Sequence, residues 1–236
     1  MRPFRSAALL AAVFVSLSLT TSAQTPKGAR LPVKGSAIPV DVLVESPADA
    51  PGDLQIICLF EAGGEEPFQA SLAELDTRLG GVLSSLRYGN AFRGTFGETL
   101  LITPKPGAMA AKRLLLVGLG DRDGFTAARE DFIGEVVYTE SNRLGATAPT
   151  FAPTVLDGGK KGIHTGDVAK AFLQGFERTR ALQEDLYNAG HTVKPVVAKL
   201  TFLAGTAHAV DTQHGLEAAL QYDVRMIKME HAKASK

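Results

Sequence analysis

Hydrophobic positions along the chain follow two alternating patterns. Short, nearly continuous apolar segments are typical of strands buried on both faces of a sheet. They cover residues 40–44, 54–60, 98–103, 113–119, 150–156 and 196–203. Between them, apolar residues recur every three or four positions, which predicts amphipathic helices. These helical segments are residues 72–86, 126–144, 167–186 and 211–220. The alternation predicts an α/β fold, a three-layer α/β/α sandwich around a mixed central sheet.

Two local features refine the predicted helices. Gly80 and Gly81 interrupt the first of them. Two glycines cost about 2 kcal/mol relative to alanines inside a helix, so this pair either breaks the helix or lets backbone or ligand approach closely. Asp167 stands at the start of the third helical segment, where a carboxylate can accept a hydrogen bond from a free helix amide. It is the predicted cap of that helix.

The first 23 residues have the pattern of a signal peptide. Arg2 and Arg5 precede an apolar stretch over residues 7–19, and small residues end at Ala23 before Gln24. The apolar stretch is shorter than the ~20 residues that span a bilayer. We therefore expect cleavage near Ala23 and Gln24, an extracytoplasmic location (periplasmic or secreted), and no membrane attachment after cleavage.

The remaining chain is expected to form one domain. Residues 24–35 are rich in Pro, Gly and Lys, which predicts a flexible N-terminal segment. The alternating pattern occupies residues 36–223, and residues 224–236 form a charged C-terminal tail. A length of about 190 residues lies within the ~100–200 residues usual for a single domain.

Charge and cysteine content exclude some classes of partner and bond. Lys and Arg total 25, as do Asp and Glu, and removal of Arg2 and Arg5 with the leader leaves a net charge near −2. This balance gives no electrostatic basis for binding nucleic acid or an anionic membrane. Cys58 is the only cysteine, so no intrachain disulfide can form. It lies within an apolar strand segment, which predicts a buried, unreactive thiol.

The sequence offers no motif for catalysis or metal binding. Its five histidines form neither a His-Glu-x-x-His helix nor a Cys/His cluster, and no Gly-x-Ser-x-Gly elbow is present. Gly118–Gly124 stands between a strand and a helix, but its glycine spacing is one residue too long for a dinucleotide fingerprint. We expect a tight turn there, and no catalytic residue, metal or cofactor.

Three linked motifs resemble a known family. They are residues 75–86, residues 92–101, and residues 111–120 with Phe125 and Thr126. All three are similar to the N-terminal domain of the leucyl (cytosol) aminopeptidases, in the same order. The resemblance implies a macro-domain-like fold. In the full-length enzymes it also implies a peptidase whose two metal ions lie in a separate C-terminal zinc peptidase domain. No segment of this sequence resembles the Asn-Thr-Asp-Ala-Glu-Gly-Arg metal-site segment of that domain.

The glycine loop over residues 157–166 is the best candidate for ligand binding, since its amides and lysines could cradle a phosphate. In macro domains that bind ADP-ribose, a corresponding glycine loop contacts the diphosphate, and the Gly80-Gly81 segment resembles a second one. The predicted groove comprises Gly80, Gly81, Gly158, Gly159, Lys160 and Gly162. A flexible surface loop is nevertheless the favoured interpretation, because glycine-rich loops are generally connectors. Residues 61–64, Glu-Ala-Gly-Gly, depart from the Asn-Ala-Asn segment of ligand-binding macro domains.

Three functions are consistent with this pattern. The first is an exported, non-catalytic binding or interaction module related to the regulatory N-terminal domain of leucyl aminopeptidases, with a protein partner or a second copy of itself. The second is a macro-type domain that binds a phosphate-bearing small molecule such as ADP-ribose. The third is an accessory subunit of a separately encoded metallo-aminopeptidase. The residues alone do not separate these three.

Overall fold

The computed structural model describes residues 24–61 and 67–234, and the side chains of residues 222–234 are outside this description. The predicted signal peptide, residues 1–23, also lies outside the described residues. The strands are β1 (Arg30–Val33), β2 (Val40–Val44), β3 (Gln55–Phe60), β4 (Thr99–Ile102), β5 (Leu114–Gly120), β6 (Thr150–Ala152) and β7 (Leu200–Ala204). The helices are α1 (Ala70–Arg78), α2 (Val82–Tyr88), α3 (Glu130–Arg143), α4 (Thr165–Asn188) and α5 (Ala209–Ala234), with a short 3₁₀ turn at Ala127–Arg129.

The seven strands form one mixed sheet in the order β1-β2-β7-β6-β3-β5-β4. The five central strands, from β2 to β5, pair in parallel. The edge strands β1 and β4 pair antiparallel to their neighbours. Because the central strands are parallel, their carboxyl ends lie along the same edge of the sheet.

Helices cover both faces of this sheet. Ile56 and Cys58 of β3 point to the face covered by α3, α4 and α5, where they join the larger hydrophobic cluster. Ile57 and Leu59 point to the opposite face, which α1 and α2 cover. This alternation follows from the two-residue period of a strand. The predicted three-layer sandwich around a mixed sheet is confirmed.

Helices α3 and α4 pack unusually closely. A Cβ atom added at Gly175 would lie 1.7 Å from the carbonyl oxygen of Asp131, and one at Gly134 would lie 2.0 Å from the carbonyl oxygen of Phe172. Only glycine permits backbones to approach so closely. The approach brings the Tyr138 and Phe176 rings to 5.0 Å between centroids. The two glycines therefore determine the spacing of these helices.

The first helical segment divides into α1 and α2 at its glycine pair. Gly80 and Gly81 adopt φ angles of +69° and +79°, in the left-handed region that favours glycine. A Cβ at either position would meet no atom within 4 Å. The pair therefore breaks the helix, and no other part of the described chain approaches it closely. The carboxylate of Asp76 then accepts hydrogen bonds from the amides of Leu83 (2.8 Å) and Ser84 (3.2 Å) at the start of α2.

Three elements differ from the sequence expectation. Within the segment predicted to be flexible, residues 24–35, Arg30–Val33 form an edge strand against β2. Pro32 is compatible with that strand because only one side of an edge strand needs ladder hydrogen bonds. Strand β6 ends at Ala152, just before Pro153. Helix α5 continues to Ala234, so the backbone of the expected tail is helical as far as that residue. None of the described helices is both long and apolar enough to cross a membrane.

Candidate ligand site

A cavity of about 410 Å³ lies at the carboxyl edge of the parallel strands. Strands β2, β6 and β7 end at it with Val44, Ala152 and Ala204. Helices α1 and α4 also begin there, with Ala70 and Thr165 in its wall. In open parallel sheets, ligands bind outside the carboxyl ends of the strands, so this is the position where the topology favours a site.

The cavity wall is mainly apolar. Its aliphatic and aromatic side chains come from strands β2 and β7, helix α4 and the loops between strands and helices, and they include Val44, Val155, Leu156, Ile163, Val168, Phe202 and Leu203. A few polar residues interrupt this surface, among them Lys27, Glu45, Ser71, Asp157, Thr165 and His208. An apolar wall with a small number of placed polar groups is typical of small-molecule sites.

Asp157 connects the loop after β6 to the start of α1. Its carboxylate accepts a hydrogen bond from the Ser71 hydroxyl, and its backbone carbonyl accepts one from the Gln69 amide at 3.3 Å. Burial raises the pKa of Asp157, although hydrogen bonds from the hydroxyl and amide of Ser71 oppose the shift. The carboxylate thus occupies the N-terminal end of α1 and faces the cavity.

Asp211, in the first turn of α5, caps the N-terminal end of α4 in the same way. Its Oδ2 accepts hydrogen bonds from the Thr165 hydroxyl at 2.6 Å and from the Gly166 amide at 2.7 Å. The bond from Thr165, with that from Gly166, lowers the pKa of Asp211 despite some burial. The prediction that Asp167 caps α4 is wrong: the capping carboxylate belongs to Asp211, which is remote in sequence.

Lys27 lies at the mouth of the cavity and is held by two carboxylates. Its Nζ is 3.0 Å from Glu45 and 3.2 Å from Asp49. Hydrogen bonding to Glu45 is the main reason that the pKa of Lys27 is raised. Arg78, at the end of α1, contacts the other oxygen of Asp49 at 2.6 Å. The lysine is thus part of a chain of ion pairs along the rim.

His208, also on the rim, is exposed just before α5. Its charge lowers the pKa of both Asp157 and Asp211, so the imidazole lies near the two carboxylates that cap α1 and α4. A proton on His208 would therefore stabilise the ionised form of either carboxylate.

The predicted glycine groove is divided between two places. Gly80 and Gly81 follow the C-terminal end of α1, whereas Asp157, which precedes Gly158, contacts its N-terminal end. Nine helical residues span about 13 Å, so the two segments lie at opposite ends of α1. The lining of the cavity includes Asp157 and Ile163, which flank the loop, but not the six predicted groove residues. A ligand role for those six stays a prediction.

The loop after Asp157 packs against neighbouring turns. A Cβ at Gly158 would lie 2.8 Å from the Phe60 ring, and one at Gly159 would lie 3.1 Å from Arg122. Lys160 Nζ donates a hydrogen bond to the Asp123 carbonyl at 2.9 Å, and Gly162 has a φ of +69°. Close contacts at Gly158 and Gly159 and the positive φ at Gly162 account for these three glycines without a ligand.

Two further sequence motifs have simple structures. Asp121 accepts hydrogen bonds from the amides of Asp123 (3.3 Å) and Gly124 (2.7 Å), which forms the expected tight turn. Cys58 is buried, as predicted, and burial raises the pKa of its thiol. Within residues 24–61 and 67–234, no three His, Cys, Asp or Glu side chains are grouped so as to hold a metal ion.

Glu130 is a buried acid that the sequence did not single out. It lies in the first turn of α3 with no exposed surface, and neither carboxylate oxygen has a hydrogen-bond partner among the described residues. Burial raises its pKa well above the ordinary range. The sequence gave no indication that Glu130 is buried, because acidic residues are common in the first turns of helices.

The fold and cavity define the class of this module. A mutant Oceanobacillus iheyensis macrodomain with ADPR superimposes with a TM-score of 0.55 at 12% identity, over 84% of this chain and 100% of that one. A mutant tomato leucine aminopeptidase gives a TM-score of 0.54 at 18% identity, over 82% of this chain and 37% of that one. At such low identity these structures show a shared macro-like α/β fold.

Sequence similarity then gives the family. Residues 56–179, just over half of the chain, match the N-terminal domain of the cytosol aminopeptidase family. A probable cytosol aminopeptidase from Thermosynechococcus vestitus is 39% identical over 77 residues, which is 33% of this chain and 15% of that protein. The chain belongs to the cytosol aminopeptidase family, and the resemblance read from residues 75–126 is confirmed. It spans only a small part of this relative's length.

Proposed function

We propose that this chain is an exported, non-catalytic module that binds a small molecule in the cavity at the carboxyl edge of β2, β6 and β7. The cavity itself carries the proposal. Its volume of about 410 Å³ falls within the ~300–1,000 Å³ of small-molecule sites, and its wall is mainly apolar. Its place in the sheet is also the one at which related topologies bind ligands.

The polar groups around the cavity support binding better than catalysis. Asp157 is bonded to Ser71, Asp211 to Thr165, and Lys27 to Glu45. Each pair holds a helix start or a loop in place. A hydroxyl activated as a nucleophile needs an adjacent base that a third group orients, and among the described residues no third side chain is hydrogen-bonded to Asp157 or Asp211. The observed pairs therefore favour a pre-formed site.

A cavity-filling variant tests the proposal. We expect fragments from a mixed library to bind the wild-type protein and to shift NMR signals of cavity residues. Ala204→Phe places a ring in the cavity wall and should abolish this binding. Ala207→Phe is the matched control, since Ala207 is exposed in the turn that follows β7 and does not line the cavity. Absence of binding to wild-type protein at millimolar fragment would refute the proposal.

Export is tested separately. The basic start, the short apolar stretch and the small residues before Gln24 motivate it. Expressed with its own leader in a Gram-negative host, the protein should appear in the periplasm with an intact mass that begins at Gln24. Full-length protein in the cytoplasm alone would contradict export and would leave the ligand proposal standing on its own test.

A second candidate function is that of an accessory subunit, and one surface favours it. The C-terminal half of α4 exposes Leu182, Leu186 and Tyr187, with Leu182 57% exposed. Clustered exposed apolar residues commonly mark protein contacts. Cross-linking with a metallo-aminopeptidase from the same organism should then depend on Leu182. An unchanged yield with Leu182→Ser would count against this function.

A further inference from the structure

We infer that the cavity binds a small, mainly apolar molecule that carries a protonated amine, with the Asp157 carboxylate as its acceptor, and not a nucleoside diphosphate. The inference rests on the proposed function, because it names the chemistry of the ligand in the same cavity. Three features carry it: the helix starts that are already capped, the excess of acidic groups, and the acceptor capacity of Asp157.

The positions where a phosphate would bind are occupied by the protein's own carboxylates. Phosphates bind at helix N-termini because free amides and the helix dipole favour negative charge there. At the start of α1, Asp157 accepts the hydrogen bond of Ser71. At the start of α4, Asp211 accepts those of Thr165 and Gly166. A phosphate at either helix would have to displace a carboxylate.

Charges around the mouth also disfavour an anion. Glu45 and Asp157 line the cavity, and Asp49 and Asp211 contact the lining residues Lys27 and Thr165. The basic groups near these four carboxylates are Lys27, Arg78, His164 and His208. Lys27 and Arg78 already contact Glu45 and Asp49, so only the two histidines stand near Asp157 and Asp211. Four carboxylates therefore face one lysine and one arginine, and this excess of acidic groups attracts a cation.

Asp157 has the capacity to accept an amine. A carboxylate offers about four acceptor positions, and the hydroxyl and amide of Ser71 occupy two of them, which leaves room for an ammonium. The group faces the cavity and is partly buried, so a bound ammonium would restore the stabilisation that burial removes and would lower the raised pKa. The aliphatic wall, with Val44, Ile163 and Val168, would cover the apolar remainder of the ligand.

Three ligands that share one ring provide the test: cyclohexylmethylamine, cyclohexylmethanol and cyclohexanecarboxylate, which are cationic, neutral and anionic at about pH 7.5. ADP-ribose is the fourth ligand. Binding to the wild-type protein is followed by NMR titration. We expect the amine to bind about tenfold or more tightly than the alcohol, the gain typical of a charge-assisted hydrogen bond, and the two anions to bind least.

Variants assign the preference to one group. Asp157→Asn keeps the shape of the side chain and a hydrogen-bond acceptor for Ser71, so it should reduce the affinity for the amine to that for the alcohol. Asp167→Asn removes an equal charge at an exposed position in the first turn of α4 and should change neither affinity. If Asp157→Asn does not fold, the wild-type ranking of the four ligands decides the question alone.

Each ranking leads to a definite conclusion. Equal binding of amine and alcohol would overturn the inference while the cavity remained a ligand site. Tighter binding of the carboxylate or of ADP-ribose would overturn it in favour of an anion site. No binding by any ring compound or by ADP-ribose, together with no hits in the fragment screen, would overturn both the inference and the proposed function.

Discussion

The close packing of α3 on α4 depends on Gly175, and Gly175→Ala tests this dependence. The added Cβ would lie 1.7 Å from the Asp131 carbonyl oxygen, about half of the 3.4 Å at which ordinary contact begins. The obstacle is backbone, which cannot rotate away as a side chain can, so the helices must separate. Phe172 lies on the same helix as Gly175, and its ring stacks on that of Phe151 in β6 at 4.0 Å between centroids. Separation of the helices would disturb this contact.

Two effects of opposite sign decide the magnitude. Overpacking of a well-packed core costs about 1–3 kcal/mol, and a backbone clash belongs at the upper end. Alanine is better than glycine in a helix by about 1 kcal/mol. The net expectation is a loss of about 2 kcal/mol of unfolding free energy, or roughly 4–8 °C in Tm for a domain of this size.

Urea unfolding followed by circular dichroism measures this loss. The midpoint should fall while the slope m stays constant. Ala181→Gly, at an exposed position of the same helix, isolates the propensity effect and should cost about 1 kcal/mol. If Gly175→Ala were as stable as the wild type or more stable, the close approach of α3 and α4 would not exist in solution and the reasoning would fail.

Three further outcomes follow from the described ionisable groups. Burial raises the pKa of Glu130. The stability that its protonated form contributes is fully present below the unfolded pKa and is lost as pH rises through the folded pKa. Glu130→Gln should therefore remove this decline and raise Tm at neutral pH, and an unchanged Tm–pH profile would contradict the prediction. The pKa of Asp211 is lowered, so its contribution to stability is present above the unfolded pKa and is lost as pH falls through the folded pKa. In urea unfolding at neutral pH, Asp211→Ala should lower the free energy of unfolding by about 1 kcal/mol, as loss of a helix cap does, and it should have little effect in acid. Cys58 should react with Ellman's reagent only after urea unfolding, because it is buried and its pKa is raised; rapid labelling of native protein would show that the strand β3 is accessible.

Local patterns in the sequence predicted most of the architecture. Buried strands such as β3 and β5 appear as continuous apolar runs, and α3 and α4 appear as amphipathic repeats, because each pattern reports directly which faces are buried. Strand β1 was missed because only Leu31 and Val33 pack against the core, which is too short an alternation to give a pattern, and Pro32 lies between them. Gly80 and Gly81 were recognised as a break because their effect is local.

The candidate site could be predicted only in part, because its groups are remote in sequence. The cap of α4 is an example: Asp167 was expected from its place at the helix start, but Asp211 in α5 supplies the carboxylate to Gly166. The contact of Ser71 with Asp157 joins segments 86 residues apart. No spacing rule reports such pairs, although the strand ends themselves mark the edge where they would meet.

The same pairs are the basis of the ligand preference that we propose for this macro-like fold. The sheet leaves the starts of α1 and α4 at the cavity, and free amides at those starts would make it an anion site. In this chain Asp157 and Asp211 accept the hydrogen bonds that a phosphate would otherwise receive. Gly158 and Gly159, which follow Asp157, pack against Phe60 and Arg122 and do not line the cavity. On the inference proposed above, the preference for a cation over an anion depends on these two capping side chains, so proteins of the same fold with other caps would differ in it.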